Sequence, residues 1–455
     1  MNLNEIIIKD TGVISQNNCE HIWFRSFSIN SKAIASGDIF VGLIGEKFDG
    51  NSFYQSALEN GASAVIFDSK SKFFDPAKID KKVSYLVVDD CLAFLQRIAK
   101  KHIENWKLKG GQVVCITGSN GKTTTKEMTS HLLEKIYPGK VIATEGNLNN
   151  HIGVPLTLLR VQPFHHYAIV EIGTNAPGEI KFLAEIAKPD FGIITSIGES
   201  HLEKLVNIEG VLNEKTSLFD YINKVSVKPF QCFYIDNPIF EKRSVISNSF
   251  KIKIGDNLKK YNNSSFELFL KPNKVKIENE NIIGDYNFYN LSLAVSICLR
   301  LGCVAKKLEE HLKSFVPKLS RSEWKVIEGK NFFCDFYNAN PSSMKNALTA
   351  FIDNLRDKTT LERMLFVIGD MYELGENSPN FHKEIGKFLA NIGPLNVIYV
   401  GKFAKYFLDG FGMECKTFQE SSDFCLFDLL DQNITHVFIK ASRGVGLEKI
   451  LNTRQ

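Results

Sequence analysis

Residues 113–125 carry the clearest signal for chemistry in this 455-residue sequence, because an apolar run enters a glycine-rich turn and then a helical pattern. The apolar run is mostly β-branched, which is typical of a buried parallel strand. Gly118 and Gly121 permit a tight turn because neither has a Cβ. Backbone N–H groups at such a turn bind phosphate, Lys122 can reach the β- and γ-phosphates, and the Thr123 hydroxyl can bind Mg²⁺. We therefore predict a nucleoside triphosphate site of the P-loop type, formed by Gly118, Ser119, Asn120, Gly121, Lys122, Thr123 and Thr124.

This loop departs from the strict P-loop pattern at one position. Ile116 stands where Gly-x-x-x-x-Gly-Lys-Thr has its first glycine. The alternative interpretation is a Gly-Lys-Thr that occurs by chance in a surface turn. The strand before the turn and the helix after it favour the phosphate site.

Three further side chains are candidates because of where they follow predicted strands or helices. Glu171 ends the apolar run 168–173, and a buried carboxylate needs a partner such as Mg²⁺. A helix cap or an ion pair is the alternative for Glu171. His201 follows the run 191–198, but a lone histidine is more often structural than a ligand. Lys215, taken alone, is typical of a solvated helical lysine.

Strand and helix patterns alternate along the whole chain, which predicts an α/β protein of three domains. We expect a small N-terminal α/β domain at residues 1–108, a central P-loop domain with a doubly wound sheet at 109–317, and a C-terminal domain with a Rossmann-like sheet at 318–455. Ligands bind at the carboxyl ends of the strands in such sheets. The expected strands are 37–43, 64–67, 85–88, 113–116, 168–173, 191–198, 266–270, 332–336, 364–369, 396–400 and 436–440; the expected helices include 53–60, 91–106 and 290–301.

Composition bounds the class of protein. The chain is 44% hydrophobic and 23% charged, with a net charge of +4, so we expect a globular protein without a nucleic-acid or membrane face. The nine cysteines contain no Cys-x-x-Cys pair, which indicates reduced thiols. Residues 1–5 lack a signal-peptide layout, and no apolar run approaches the roughly 18 residues that span a bilayer. We expect a cytoplasmic monomer.

Several motifs together resemble the Mur ligase family. The resemblance begins at the P-loop and extends through all three expected domains. Its most specific part is the run Tyr-Asn-Ala-Asn-Pro at residues 337–341. The segments that carry it are 117–128, 147–155, 171–179, 335–344, 369–375 and 440–444.

The resemblance implies an ATP-dependent amide ligation in peptidoglycan synthesis. In this chemistry ATP phosphorylates the terminal carboxylate of UDP-N-acetylmuramoyl-tripeptide, and the amine of D-alanyl-D-alanine then attacks the acyl phosphate. Two anions must approach each other, so Lys122 and Mg²⁺ must offset their charge. The first domain is then expected to bind the UDP end of the substrate. It has Lys32 where the family usually has an arginine, and a lysine replaces the planar guanidinium with a point charge.

The resemblance also assigns roles to single residues. Thr123 and Glu171 match the pair that holds Mg²⁺, and His201 matches a ligand of a second Mg²⁺. Lys215 matches the lysine that family members carbamylate, although Ser217 stands where a glutamate often follows it. Lys122, His201 and Lys215 are the expected catalytic residues.

Further matches concern the nucleotide and the substrates. Asn290 matches a residue near the adenine, Arg321 one directed at the γ-phosphate, and Asp335 the acid at the ribose. The expected substrate residues are Asn149, Asn150, Asn338, Asn340, Ser442 and Arg443, of which the last four lie on the D-alanyl-D-alanine side. The Tyr-Asn-Ala-Asn-Pro run could instead be only a turn that positions Asp335.

Two other functions remain open at this point. One is a related ligase that adds a different amino acid, or glutamate to folate, and the run 335–344 argues against it. The other is a P-loop switch or nucleotide sensor without ligation. In that protein Glu171, His201 and Lys215 would have no role in catalysis, and the third α/β domain would not be needed.

Overall fold

Three α/β units follow one another along the chain. The computed structural model describes residues 12–19, 22–226, 228–317, 321–393 and 395–451. The expected start of the third unit at residue 318 lies outside these ranges, as do residues 1–5. Each unit has a sheet of five or six mostly parallel strands, which confirms the predicted α/β class.

The first unit is a five-stranded sheet in the order β1-β5-β4-β3-β2, in which only the edge strand β1 is antiparallel. Strand β4 is buried at every position, so apolar residues on both faces stabilise the centre of the sheet. The elements are β1 Val13–Asn17, β2 Phe27–Ser28, β3 Ile39–Val41, α1 Tyr54–Glu59, β4 Ala64–Asp68, β5 Tyr85–Val88 and α2 Cys91–Lys107, with short 3₁₀ helices at Ser31–Ala33 and Gly50–Phe53.

The first half of the second unit contains the P-loop strand. Its elements are β6 Gln112–Thr117, α3 Lys122–Ile136, β7 Val141–Ala143, α4 Gly153–Leu159, β8 Tyr167–Glu171, α5 Glu179–Ala187, β9 Phe191–Ile194, α6 Leu202–Leu205 and α7 Ile208–Val225. Strand β6 pairs with β8 on one side and β9 on the other, all parallel. Its carboxyl end therefore lies at the middle of the sheet edge, where α/β proteins bind ligands.

The second half of this unit completes the sheet and adds a small antiparallel one. The elements are β10 Cys232–Ile235, β11 Ser249–Ile252, β12 Leu258–Asn262, β13 Ser265–Leu270, β14 Asn273–Glu278, α8 Asp285–Arg300 and α9 Ala305–Leu312, with 3₁₀ helices at Pro238–Lys242 and Ser244–Asn248. The parallel sheet has the order β11-β10-β9-β6-β8-β7, and β12, β13 and β14 form the antiparallel sheet.

The third unit has six strands in the order β15-β16-β20-β17-β18-β19, with only β15 antiparallel. Phe333, Phe351, Phe366 and Phe438 pack against one another between its sheet and its first helix. The elements are β15 Glu323–Ile327, β16 Lys330–Cys334, α10 Pro341–Leu355, β17 Met364–Gly369, α11 Ser378–Ala390, β18 Asn396–Val400, α12 Ala404–Phe411, β19 Lys416–Phe418, α13 Leu426–Leu429 and β20 His436–Lys440, with 3₁₀ helices at Leu361–Arg363, Gly375–Asn377, Ser421–Asp423, Arg443–Val445 and Leu447–Leu451.

Two predicted boundaries differ from the structure for identifiable reasons. The helix expected at 290–301 begins at Asp285, directly after Gly284 with φ +82°. The run expected as a strand at 191–198 leaves the sheet after Ile194, because the following residues bend over the P-loop and bond to it. Among the described helices, none has the length and apolar character needed to cross a membrane.

Candidate active site

The glycines of the P-loop are required by close packing. Gly118 has φ +150° and Gly121 has φ +82°, values that glycine adopts without strain. A Cβ on Gly118 would overlap the Thr195 hydroxyl, and one on Gly121 would overlap the amide of Asn290. The turn therefore lies directly between the end of β9 and helix α8, with its N–H groups at the start of α3.

Lys122 folds back over its own loop. Its Nζ donates to the carbonyl oxygens of Gly118 at 2.7 Å and Ser119 at 3.4 Å. Desolvation lowers the pKa of Lys122, while the nearby Glu171 carboxylate acts in the opposite direction. The Lys122 amine is therefore held at the P-loop, where a phosphate group would bind.

Glu171 and Thr123 form the pair expected to hold Mg²⁺. Glu171 is 2% exposed at the end of β8. Its Oε2 accepts from Thr123 Oγ1 at 2.7 Å, its Oε1 accepts from Asn149 Nδ2 at 2.7 Å, and its backbone N–H donates to Thr144 Oγ1 at 2.9 Å. A carboxylate beside a hydroxyl at a P-loop is an oxygen donor set that Mg²⁺ prefers. Across the described residues no group of three or more His, Cys, Asp or Glu could hold a metal. Phosphate oxygens and water would therefore supply the other ligands.

His201 lies opposite a residue that sequence reasoning missed. Its Nδ1 is 2.8 Å from Oε2 of Glu373, which follows β17 in the third unit. Both residues have the left-handed backbone, with φ +53° and +63°, which is uncommon for side chains of this size. The hydrogen bond from His201 lowers the pKa of Glu373. No local sequence pattern around Glu373 predicts this contact, because His201 belongs to another unit.

Lys215 is buried rather than solvated. It is 1% exposed in helix α7, and within the described part of the chain no hydrogen bond or ion pair reaches its Nζ. Burial, with a smaller contribution from the Lys122 charge, holds the pKa of Lys215 well below its usual value. The adjacent Glu214 does not pair with it, because its carboxylate accepts from the N–H groups of Gly178 at 2.6 Å and Ile180 at 2.8 Å.

The third unit contributes Arg321 and Asp335, the residues expected at the γ-phosphate and the ribose. The Arg321 guanidinium carbon lies 3.7 Å from the centre of the Tyr337 ring, and the buried Nε of Arg321 has no hydrogen-bond partner in the described part of the chain. Asp335 accepts from the Ser322 N–H at 3.1 Å and from Nζ of Lys440 at 2.7 Å. Lys440 is 2% exposed and was not among the candidate residues. Its hydrogen bond fixes the orientation of the Asp335 carboxylate.

One cavity of about 840 Å³ joins the P-loop to this part of the third unit. Its size is within the range of small-molecule and cofactor sites. The candidate residues that line it are Ser119, Asn120, Gly121, Lys122, Thr123, Thr124, Asn149, Asn150, Glu171, His201, Asn290, Arg321, Asp335 and Asn338. The candidate residues that do not line it are Gly118, Lys215, Asn340, Ser442 and Arg443.

Three substrate candidates have contacts that explain their position in other ways. The Asn150 side chain accepts from the N–H groups of Ile152 and Gly153, at the residues where α4 begins. Ser442 Oγ accepts from the Tyr372 N–H at 2.9 Å and donates to a carbonyl of the 337–341 turn at 3.2 Å. Arg443 is exposed, with its guanidinium carbon 5.2 Å from the Tyr337 ring.

Three family models match the chain, one in each unit. Residues 24–103 match "Mur ligase family, catalytic domain", residues 116–298 match "Mur ligase middle domain", and residues 320–402 match "Mur ligase, glutamate ligase domain".

Individual relatives match over nearly the whole chain. The UDP-N-acetylmuramoyl-tripeptide–D-alanyl-D-alanine ligase of Bacillus subtilis (strain 168) is 30% identical, over 97% of this chain and 95% of its own. A crystal structure of MurF from Acinetobacter baumannii has a TM-score of 0.78 at 28% identity, over 93% of this chain and 92% of its own. A MurF ligase from Thermotoga maritima, solved in complex with ADP, has a TM-score of 0.74 at 26% identity, over 94% and 96%.

Proposed function

The chain belongs to the Mur ligase family, and on this premise we propose that it joins D-alanyl-D-alanine to UDP-N-acetylmuramoyl-tripeptide with ATP in peptidoglycan synthesis. The assignment of these substrates is supported by relatives named UDP-N-acetylmuramoyl-tripeptide–D-alanyl-D-alanine ligase, which match nearly end to end. The observation that carries the mechanism is a single cavity with the P-loop on one wall and Arg321 and Asp335 on the other. A nucleotide bound there would touch both units at once.

The first step transfers the γ-phosphoryl group of ATP to the tripeptide carboxylate. The P-loop N–H groups and the start of α3 bind the phosphates, and Lys122 offsets the charge that two approaching anions bring together. Thr123 and Glu171 would hold Mg²⁺, which offsets phosphate charge when bound. Among the described residues the buried Nε of Arg321 has no hydrogen-bond partner, so it can donate to the transferred phosphoryl group.

The nucleoside end would lie between α8 and the third unit. Asn290 packs against Gly121 at the start of α8, on the adenine side. The Asp335 carboxylate accepts hydrogen bonds from the Ser322 N–H and from Lys440 Nζ, and its remaining lone pairs can accept from ribose hydroxyls.

In the second step the dipeptide amine attacks the acyl phosphate, forms the amide bond and releases phosphate. His201, and Lys215 if it is carbamylated, would hold a second Mg²⁺, which would offset negative charge when bound. Asn149 is assigned to the tripeptide side. Asn150 lines the cavity beside it. Asn338 lines the cavity on the third-unit side and is assigned to the dipeptide. Ser442 and Arg443 would act there through the turn that Ser442 holds.

We further propose that the reaction takes place in the cytoplasm, that the chain acts as a monomer, and that its three domains divide at 108/109 and 317/318. Each of the nine cysteines is free, which suits a reducing compartment. Residue 318, where the third domain would begin, lies outside the described ranges.

Phosphate release from ATP is the test. We expect release only when UDP-N-acetylmuramoyl-tripeptide and D-alanyl-D-alanine are both present, with one amide bond formed per phosphate. Turnover with another amino acid in place of the dipeptide would indicate a related ligase. Nucleotide binding without ligation under any acceptor would indicate a P-loop switch.

A further inference from the structure

Asn120 of the P-loop and Asn340 of the third unit bond to each other through both of their amides. Asn120 Nδ2 lies 3.3 Å from Asn340 Oδ1, and Asn340 Nδ2 donates to Asn120 Oδ1 at 2.7 Å. Asn120 Nδ2 also donates to Ser342 Oγ at 2.9 Å. The two residues are 220 positions apart in the chain, so this is a contact between units.

The Asn340 side chain is fixed by its own helix. It is 4% exposed and is the N-cap of α10, where its Oδ1 accepts from the Ser343 N–H at 2.9 Å. Ser343 Oγ accepts in turn from the Asn340 N–H at 3.0 Å. The capping bond identifies Oδ1 as the acceptor, and the amide nitrogen must therefore point at Asn120. Turning Asn340 into the cavity would break this cap.

Asn120 is held equally firmly on its own side. Its backbone N–H donates to Ser196 Oγ at 2.9 Å, and its carbonyl accepts from Ser196 Oγ at 3.1 Å and from the Thr195 hydroxyl. The next residues are Gly121 and Lys122. A displacement of Asn340 would therefore be transmitted to the segment that receives the phosphates.

We propose that Asn120 and Asn340 are positioning residues that couple the seating of the third unit to the geometry of the P-loop. The paired amides form only when α10 lies against the P-loop. Phosphoryl transfer therefore depends on the position of the third unit that also brings Asn338 to the dipeptide site. This role replaces the dipeptide contact expected of Asn340 from the sequence. Asn340 does not line the cavity, whereas Asn338 does. The proposal rests on the proposed ligation only for its kinetic test.

Asn340→Asp tests the pairing with little change in shape. Aspartate keeps the helix cap, but it places a carboxylate oxygen against Asn120 Oδ1 where a donor stood. We expect kcat for phosphate release to fall about tenfold to a hundredfold, because the half-buried Asn120 Oδ1 loses its donor and faces a carboxylate oxygen instead. The KM for D-alanyl-D-alanine should stay within about threefold, and the melting temperature should fall by no more than about a few degrees, because one hydrogen bond between units is lost.

Asn207→Asp is the matched control. Asn207 caps α7 through the Gly210 N–H at 2.9 Å and has no partner in another unit among the described residues. It should behave as the unchanged chain in both kinetics and melting. An Asn340→Asp variant with unchanged kcat, or one that raises only the KM for the dipeptide, would overturn the proposal. The second result would return Asn340 to the dipeptide site.

A double-mutant cycle with Asn120→Ser and Asn340→Ser provides a second variant that keeps a capping hydroxyl. The double variant should be no slower than the slower single variant, because either change removes the same pairing. Losses that multiply would contradict the coupling. Should the unchanged chain not ligate at all, the proposed function fails by itself. The pairing would then be tested by small-angle scattering with a non-hydrolysable ATP analogue, where Asn340→Asp should be less compact and an identical profile would refute it.

Discussion

Three lysines are the clearest case in which single residues of this chain acquire chemistry from their surroundings. Lys122 and Lys440 line the cavity and the charge of Lys122 acts on the buried Lys215, yet of the three only Lys440 has a carboxylate hydrogen bond in the described structure. Desolvation lowers the pKa of the first two. An amine with a low pKa is neutral for more of the time, and a neutral amine is the form that reacts with CO₂.

Lys122→Ala is expected to abolish ligation. The amine offsets phosphate charge and fills no core position, so phosphate release should fall by about two orders of magnitude or more, while the melting temperature stays close to that of the unchanged chain. Phosphate release and thermal unfolding are the measurements. Turnover near that of the unchanged chain would refute the P-loop assignment.

Lys215→Ala is expected to lose most activity and little stability. The carbamate would supply an anionic oxygen of the kind Mg²⁺ prefers, and the uncarbamylated amine has no bonded partner to leave behind in the described structure. Excess acetate should restore part of the ligation by occupying the vacated position.

Lys122→Ala serves as the control for this rescue, because acetate cannot replace a cation. Full activity of Lys215→Ala without additives would show that the lysine is not carbamylated for catalysis.

The site residues that could be predicted are those whose chemistry is local in sequence. The P-loop places its glycines, Lys122 and Thr123 within a few positions, so strand, turn and helix signals coincide. Glu373 and Lys440 could not be found in this way, because each acts on a residue far away in the chain; Lys440 and Asp335 are 105 positions apart. Asn340 was a candidate, but its hydrogen bonds to Asn120, 220 positions away, could not be predicted for the same reason.

At the level of elements, the strands that could be predicted from the sequence are those buried on both faces of a sheet. The strands β5, β17, β18 and β20 have the predicted bounds, since each is a short apolar run inside a sheet. The edge strands β1, β7 and β19 have half-buried or exposed residues and no such run. Their pairing depends on a neighbour already in place, which no local pattern records.

The start of helix α5 depends on a carboxylate from another helix. Glu214 of α7 accepts from two N–H groups at that end, those of Gly178 and Ile180. Glu214→Ala should lower the free energy of unfolding by about 1–3 kcal/mol, because buried donors are left without an acceptor.

Chemical denaturation measures this loss. Glu310→Ala, a change at an exposed position of α9, should alter the free energy of unfolding by less than about 0.5 kcal/mol. Equal effects of the two substitutions would show that Glu214 does not hold the helix.

For the whole molecule, we expect the cavity between the second and third units to make nucleotide binding and domain arrangement interdependent. Arg321 and Asp335 belong to the third unit, yet they face the P-loop across that cavity. A ligand that contacts both walls must favour the arrangement in which both are present.

Small-angle scattering should therefore show a smaller radius of gyration when a non-hydrolysable ATP analogue and Mg²⁺ are added. Arg321→Ala should weaken this compaction, since it removes a contact made only in the closed arrangement. Identical profiles with and without nucleotide would contradict the coupling of binding to closure.

The fate of the substrate oxygens tests the central claim, which is ligation through an acyl phosphate. UDP-N-acetylmuramoyl-tripeptide labelled with ¹⁸O in its terminal carboxylate is turned over with ATP and D-alanyl-D-alanine, and the products are analysed by mass spectrometry. Phosphorylation of the carboxylate requires one labelled oxygen to leave with the inorganic phosphate and the other to remain in the new amide carbonyl. Phosphate that carries no label while the amide forms would contradict the mechanism.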